Sequence, residues 1–347
     1  MLLNSESQDL SAKPVDHKNT ISQACVNCDH TSFTRLFNGY DFDTGKKHFA
    51  LEKCDTCQLT RTSPVLEQTE LCSYYSTDYY GSSDKKFNSF IESWTIWSNN
   101  RLANQILNST GITNIPLDQS ARIMDIGCGR ANLLKAFNRK GCQCFGVERS
   151  DFQDDPSLEN ITIYKQDFLD IPIEENSFDI VVIWHVLEHL TDPAATLKKV
   201  QQILKPGGSL VVAVPNFGSL QSKLFGKHWF HLDLPRHTYH FTRQSLLAVL
   251  DKSGFKTKSL ATHSFDQGIY GFIQSAINQI LIRKPNTLYS ILKSSQKKPG
   301  VAAIGLQMLL AGAIAPFAFF EYLVSALTGT GACLNVRAEK IQASDTD

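Results

Sequence analysis

The chain has no excess of charge: 34 lysines and arginines stand against 34 aspartates and glutamates in 347 residues. That balance counts against nucleic acid as the main partner, because phosphate binding leaves a basic footprint; only a local basic patch stays compatible with it. The first twenty residues lack the basic start and apolar core of a secretory leader. The expected compartment is the cytoplasm, where thiols stay reduced, so nine cysteines call for metal ligation or core packing before disulfides. There is no internal repeat. The turn Gly127-Cys128-Gly129 also lacks the third glycine of a dinucleotide fingerprint.

What is present falls into stretches, and the length suggests about two domains. Residues 1–20 read as a disordered tail with little to bury. Residues 21–62 carry two Cys-x-x-Cys pairs, and residues 63–100, rich in Tyr, Ser, Asp, Phe and Trp, read as an aromatic linker or lid. Over 101–262 short apolar runs alternate with amphipathic segments, the pattern of βαβ units and an α/β fold. Strands are expected near 122–126, 143–147, 161–165, 179–184, 209–214 and 256–262. Helices are expected over 131–140, 194–204 and 243–253. Pro206-Gly207-Gly208 is expected to stop a helix and turn into the next strand. Residues 263–328 read as an insertion: an amphipathic helix over 263–282, a polar and basic stretch over 284–300, and a strongly apolar run over 301–328. Residues 329–347 hold a last alternating strand near 332–338 and a tail.

The densest signal is Ile123-Met124-Asp125-Ile126-Gly127-Cys128-Gly129, a buried strand running into a glycine turn and a helix. Gly127 and Gly129 allow positive φ and put no side chain between backbone and ligand. Asp125 precedes the turn, where a carboxylate can meet a cationic amino group. Glu148 ends the second strand and can accept from both ribose hydroxyls. In Gln166-Asp167-Phe168, the acid can accept from an adenine amino group with the ring beside it. Asp179 opens the strand that ends at His185.

Taken together with His185-Val186-Leu187-Glu188-His189-Leu190 and Leu204-Lys205-Pro206-Gly207-Gly208, these elements resemble class I S-adenosylmethionine-dependent methyltransferases over roughly residues 95–262. Ala131 stands where that family often has glycine. The resemblance implies a Rossmann-like, seven-stranded sheet with S-adenosyl-L-methionine as cofactor. Its implied cofactor-binding residues are Asp125, Gly127, Cys128, Gly129, Glu148, Gln166, Asp167, Phe168 and His185. The bland alternative is a Rossmann-like domain that binds another nucleotide or has lost activity.

Cys25-x-x-Cys28 and Cys54-x-x-Cys57 can each chelate one tetrahedral ion, and four thiolates favour a closed structural Zn²⁺ ribbon. A redox pair or plain buried cysteines are the alternatives. Core packing is expected of Cys72, Cys128, Cys142, Cys144 and Cys333.

Methyl transfer needs in-line approach, and an oxygen or nitrogen nucleophile can need a base. His185, at the strand end, is the first candidate. For His189 a place on the site and a helix start pointing elsewhere are equally open. The second cluster lies in Leu234-Pro235-Arg236-His237-Thr238-Tyr239-His240-Phe241-Thr242. This string resembles a bacterial-type subgroup of zinc-ribbon methyltransferases linked to glycan or lipid-linked glycan assembly. There His237 and His240 are candidate bases and Arg236 a candidate anion clamp; the alternative is a structural corner, with Thr242 capping the next helix. Tyr74 to Gly81 could form a lid over the cofactor or pack as linker.

Residues 301–328 are long and apolar enough to be a membrane candidate. If the chain must rejoin the sheet after them, a single crossing is impossible. A hairpin kinked at Pro316 or a helix in the interface remains, with Lys284, Lys293, Lys297 and Lys298 near anionic headgroups. A helical cap buried on the protein or in a dimer is the alternative. The expected activity is methylation, of oxygen first, on a small-molecule, glycan or lipid-linked acceptor, by a cytoplasmic protein with peripheral membrane contact. The rivals are a zinc-ribbon RNA methyltransferase and a non-catalytic scaffold with this fold.

Overall fold

The computed structural model describes residues 24–41, 47–75, 89–111, 120–148, 156–281, 285–292 and 300–341. The expected tail at 1–20, residues 76–81 of the aromatic run, and Lys284, Lys293, Lys297 and Lys298 lie outside them.

Seven strands form one sheet in the order β10-β11-β8-β7-β4-β5-β6. In chain order these are β4 (Arg122–Ile126), β5 (Gln143–Glu148), β6 (Ile161–Lys165), β7 (Phe178–Trp184), β8 (Leu204–Pro215), β10 (Phe255–Ala261) and β11 (Cys333–Lys340). The five strands β6-β5-β4-β7-β8 run parallel, while β11 pairs antiparallel with both β8 and β10. This is the seven-stranded sheet expected from the sequence, with its last two strands as neighbours. Buried on both faces, the parallel strands are nearly continuous apolar runs, as in Ile180-Val181-Val182-Ile183.

Two details refine the expectation. Strand β8 runs from Leu204, and Pro206-Gly207-Gly208 makes the expected turn inside it: Gly207 has φ +75° and the register against β7 shifts between Leu204 and Ser209. The helix α2 (Ser89–Ser109) runs across the expected boundary at 100 and packs on α3 (Asn132–Asn138).

A second sheet, in the order β1-β2-β3-β9, joins β1 (Phe33–Tyr40), β2 (His48–Cys54) and β3 (Thr60–Ser63) to β9 (Tyr239–His240). The first three make an antiparallel meander. The fourth strand arrives from the loop after β8, pairing Thr60 with His240 and Arg61 with Tyr239. Thr62 adds a backbone N–H to Thr238 O (2.9 Å) and a hydroxyl to His237 O (2.6 Å). Cys54, Leu59, Tyr239 and Phe241 share one apolar cluster with the parallel sheet, so the cysteine-bearing segment is packed onto the larger body.

Between β10 and β11 lie α7 (Phe265–Ile280), α8 (Thr287–Leu292) and α9 (Val301–Thr328). Helix α9 is one continuous 28-residue helix with Pro316 inside it, not a hairpin. Its buried residues are Gln307, Ala318, Glu321 and Ser325. Gln221 donates to Glu321 Oε2 (2.8 Å) and the Ser325 hydroxyl donates to Glu321 Oε1. The polar stripe therefore faces the protein, while Leu309, Phe317, Phe320 and Leu327 face outward.

Candidate active site

The carboxyl ends of β4, β5 and β7 open onto a cavity of about 530 Å³, within the size range of small-molecule sites. Gly127 (φ +72°) and Gly129 (φ +51°) turn the chain at its floor. A Cβ on Gly127 would lie 2.4 Å from Val186 Cγ2, whereas one on Gly129 would meet nothing within 4 Å. Glu148, nearly buried at the end of β5, accepts the Gly129 N–H at 2.7 Å and so fixes the turn to the neighbouring strand. Asp167 accepts the Leu169 N–H (2.8 Å) and starts the turn that carries Phe168. Lys199 holds that turn from below, donating to the carbonyls of Phe168, Leu169 and Ile171 at 2.6 to 2.9 Å.

Of the nine residues expected at the cofactor, Gly127, Gly129, Glu148, Gln166, Asp167, Phe168 and His185 line the cavity. Asp125 and Cys128 are buried and absent from its wall. Cys128 packs behind the turn, its sulfur 2.7 Å from where a Gly146 Cβ would stand. Burial, and then the nearby Glu148 charge, push the Asp125 carboxyl up to about 8.

His185 sits at φ +56°, a left-handed backbone rarely adopted by non-glycine residues and concentrated at functional sites. Burial opposes charge on its ring, but the Cys333 sulfur and the Glu188 carboxylate, with Nδ1 3.5 Å from Oε1, outweigh it and raise the imidazole above its ordinary value. His189 also lines the cavity. Tyr75 lines the cavity as well, with its OH 3.0 Å from His189 Nδ1.

Arg236, His237 and His240 are buried and do not line the cavity. The Arg236 guanidinium is engaged by the Asp233 carboxylate (Nε to Oδ2 3.0 Å) and by Tyr74 O. His240 Nε2 meets the Thr62 hydroxyl at 3.0 Å. Burial pulls His237 down to about 4 and His240 to about 3, so both rings stay neutral. Thr242 does cap the following helix α6 (Arg243–Lys252), accepting the Ser245 N–H. Gln68, Leu71 and Cys72 of α1 (Gln68–Cys72) also line the cavity. No motif marks them, and Cys72 was expected in the core.

The four sulfurs of Cys25, Cys28, Cys54 and Cys57 lie within 4.8 Å of one another, with Cys25–Cys57 at 3.4 Å and Cys28–Cys54 at 3.5 Å. A tetrahedral ion with Zn–S near 2.3 Å needs edges of about 3.8 Å, so the donor set fits Zn²⁺. Burial opposes ionisation of Cys54, but the backbone N–H groups of Cys57 and Thr56 lower it to about 7.

Residues 100–260 match the family model for a methyltransferase domain. The match takes in somewhat less than half of the chain. A ubiquinone biosynthesis O-methyltransferase of Rhodopseudomonas palustris is 31% identical over 159 residues, 42% of this chain and 60% of that protein. Its namesake in a Bradyrhizobium strain is 35% identical over 137 residues, 35% of this chain and 51% of that protein. The chain thus spans about half to two thirds of these relatives, and the similarity centres on the methyltransferase domain. A solved phosphoethanolamine N-methyltransferase of Haemonchus contortus superposes with TM-score 0.48 at 18% identity, covering 90% of this chain and 69% of that one.

Proposed function

We propose that the protein transfers a methyl group from S-adenosylmethionine to a hydroxyl of a small or lipid-like acceptor. The observation that carries this is the single cavity wall that joins the Gly127–Gly129 turn, Glu148 and the Asp167–Phe168 turn to His185 and His189. In this reading Glu148 accepts from the ribose hydroxyls, Asp167 from the adenine amino group, and Phe168 covers the ring. The sulfonium of the bound cofactor supplies the methyl. His185, held at the strand end, takes the proton of the acceptor hydroxyl, and the cavity orients that oxygen in line. Arg236, His237 and His240 stand behind the cavity wall, held by the Asp233 ion pair and the Thr62 contact, and brace the loop that carries them. Zn²⁺ on Cys25, Cys28, Cys54 and Cys57 keeps β3 in register with β9 and does no chemistry.

Helix α9 supports membrane contact for the acceptor. It is long and apolar enough to cross a membrane, and only 11% of its most apolar window is buried. Phe265 and the exposed Trp94–Trp97 pair (ring centroids 4.9 Å apart) extend the same apolar surface, and tryptophan favours the membrane interface. Because the chain re-enters the sheet at β11, the helix lies in the interface. The names of the relatives favour an oxygen acceptor on a quinone-like molecule; a lipid-linked glycan is the other acceptor class compatible with this surface.

Methyl-labelled cofactor incubated with the protein and a fractionated lipid and glycan extract should label a lipid-soluble product carrying a new methyl ether. With total RNA added as a competing acceptor, label confined to RNA, or no product from any fraction, would overturn the reading.

Asp125 gives a second test. Its folded carboxyl near 8 lies above the ordinary value of 3.8, so the fold favours the protonated form. As pH rises from 4 to 8, the unfolded chain ionises first and stability falls; above 8 the cost is complete. Asp125→Asn cannot ionise. It should raise the melting temperature of the cofactor-free protein by an amount absent below pH 4 and largest above pH 8. Equal melting temperatures of the two proteins at pH 8 would contradict the buried, unpaired role.

A further inference from the structure

A second cluster, apart from the cysteine turns, has the make-up of a metal site. Glu188, His189 and His237 each offer one donor atom, and the three atoms lie within 4.8 Å of one another. Two elements bring them together: the short helical turn Leu187–His189 after β7, and the loop after β8 that lends its strand to the ribbon sheet.

The Glu188 carboxylate has a charged neighbour but no hydrogen bond. Glu188 is 1% exposed, and neither oxygen has a hydrogen-bond partner among the described residues. The nearest cationic candidate is His185 Nδ1, at 3.5 Å. A buried carboxylate with one imidazole at 3.5 Å and no hydrogen bond is costly, and such groups in folded proteins call for an explanation such as a bound ion.

Both imidazoles are already oriented as ligands. His189 Nδ1 is 3.0 Å from Arg236 O, and His237 Nδ1 is 2.9 Å from His231 O. A carbonyl only accepts, so Nδ1 carries the proton in each ring and Nε2 holds the lone pair; the Tyr75 hydroxyl oxygen, also 3.0 Å from His189 Nδ1, then accepts from that same N–H. Metal-binding histidines have this arrangement: the far N–H is tied to a backbone carbonyl and fixes the tautomer. Asp233 Oδ2, 3.9 Å from His237 Nε2, is beyond hydrogen-bond distance, so it does not hold a proton on that nitrogen, and it is engaged by Arg236.

We propose that Glu188, His189 and His237 bind one divalent transition-metal ion of the kind that takes two imidazoles and a carboxylate, such as Zn²⁺, Fe²⁺ or Mn²⁺. Three protein ligands leave at least one position for water or an incoming oxygen. His189 lines the cavity, so the ion borders it. If the cavity is the methyl-transfer site, which rests on the function proposed above, the open position takes the acceptor hydroxyl and polarises it.

The test counts metal and does not depend on methyl transfer. The untagged full chain is stripped, loaded with Co²⁺ and dialysed. Two ions per chain are expected: one with the intense thiolate-to-metal absorption of a cysteine site, the other with only weak visible bands. Glu188→Gln, which keeps the shape, and His189→Ala should each lower the count to one and leave the thiolate absorption unchanged; that absorption also reports that the ribbon is intact. One ion in the unaltered protein, or two in both variants, would overturn the site. A count of two with no labelled methyl product would leave the metal site standing and remove the proposed reaction instead.

Discussion

Glu148→Ala should weaken S-adenosylmethionine binding by at least about 10²-fold. A carboxylate accepting from two ribose hydroxyls makes two charge-assisted hydrogen bonds, each worth roughly 1.5–3 kcal/mol. Losing about 3–6 kcal/mol corresponds to roughly 10²–10⁴ in affinity. The same oxygen pair also accepts the Gly129 N–H at 2.7 Å, so alanine orphans that donor and loosens the turn. Glu148→Gln separates these contributions: it can still accept from Gly129, and should lose less than the alanine variant. Calorimetric titration, with far-UV circular dichroism to show an unaltered fold, reads the effect. Affinity within threefold of the unaltered protein in both variants would remove Glu148 from the ribose.

The second large effect is expected at the ribbon. Structural zinc contributes about 10–16 kcal/mol to the folding of small zinc modules, so Cys54→Ser should unfold the β1–β3 meander. The seven-stranded sheet has its own apolar core, including Ile180 and Val182 away from the ribbon, and should remain folded. What goes with the meander is the pairing of β3 with β9 and the Thr62 bonds to Thr238 and His237. The helix α1, five residues after β3, loses its anchor, and with it Gln68, Leu71 and Cys72 leave the cavity wall. The expected result is a protein that keeps sheet circular dichroism, becomes protease-sensitive in residues 24–75, and loses methyl transfer at least about a hundredfold. Unchanged protease resistance with bound zinc retained would show that the cysteines pack without a metal role.

These two predictions draw on parts of the molecule that differ in legibility. The strands β4 to β7, β10 and β11 are readable because alternation and buried apolar runs are local properties. The glycine turn is readable because positive φ and close ligand approach select glycine. Strand β9 is not readable: it is two residues long, and its partner at Thr60 and Arg61 lies about 180 residues away, so no local pattern announces it. For the same reason the sequence leaves His237 and His240 open between candidate bases and a structural corner, and strand addition to the ribbon sheet buries both. Helix α1 is too short to carry a period. The apolar run at 301–328 leaves a hairpin kinked at Pro316 and a single interfacial helix both open, because the chain must rejoin the sheet; α9 is one continuous helix through Pro316, with Gln307, Ala318, Glu321 and Ser325 buried. His189 was undecided because both outcomes start from the same residues. The turn Leu187–His189 is a single helical turn, so its ring stays at the strand end and reaches the cavity.

The central claim is that the Gly127–Gly129 turn and Glu148 select S-adenosylmethionine over a dinucleotide. Titration calorimetry of the unaltered protein with S-adenosylmethionine and, separately, with NAD tests this most directly. The account predicts one S-adenosylmethionine bound per chain and no heat with NAD. Saturable binding of NAD without binding of S-adenosylmethionine would contradict it.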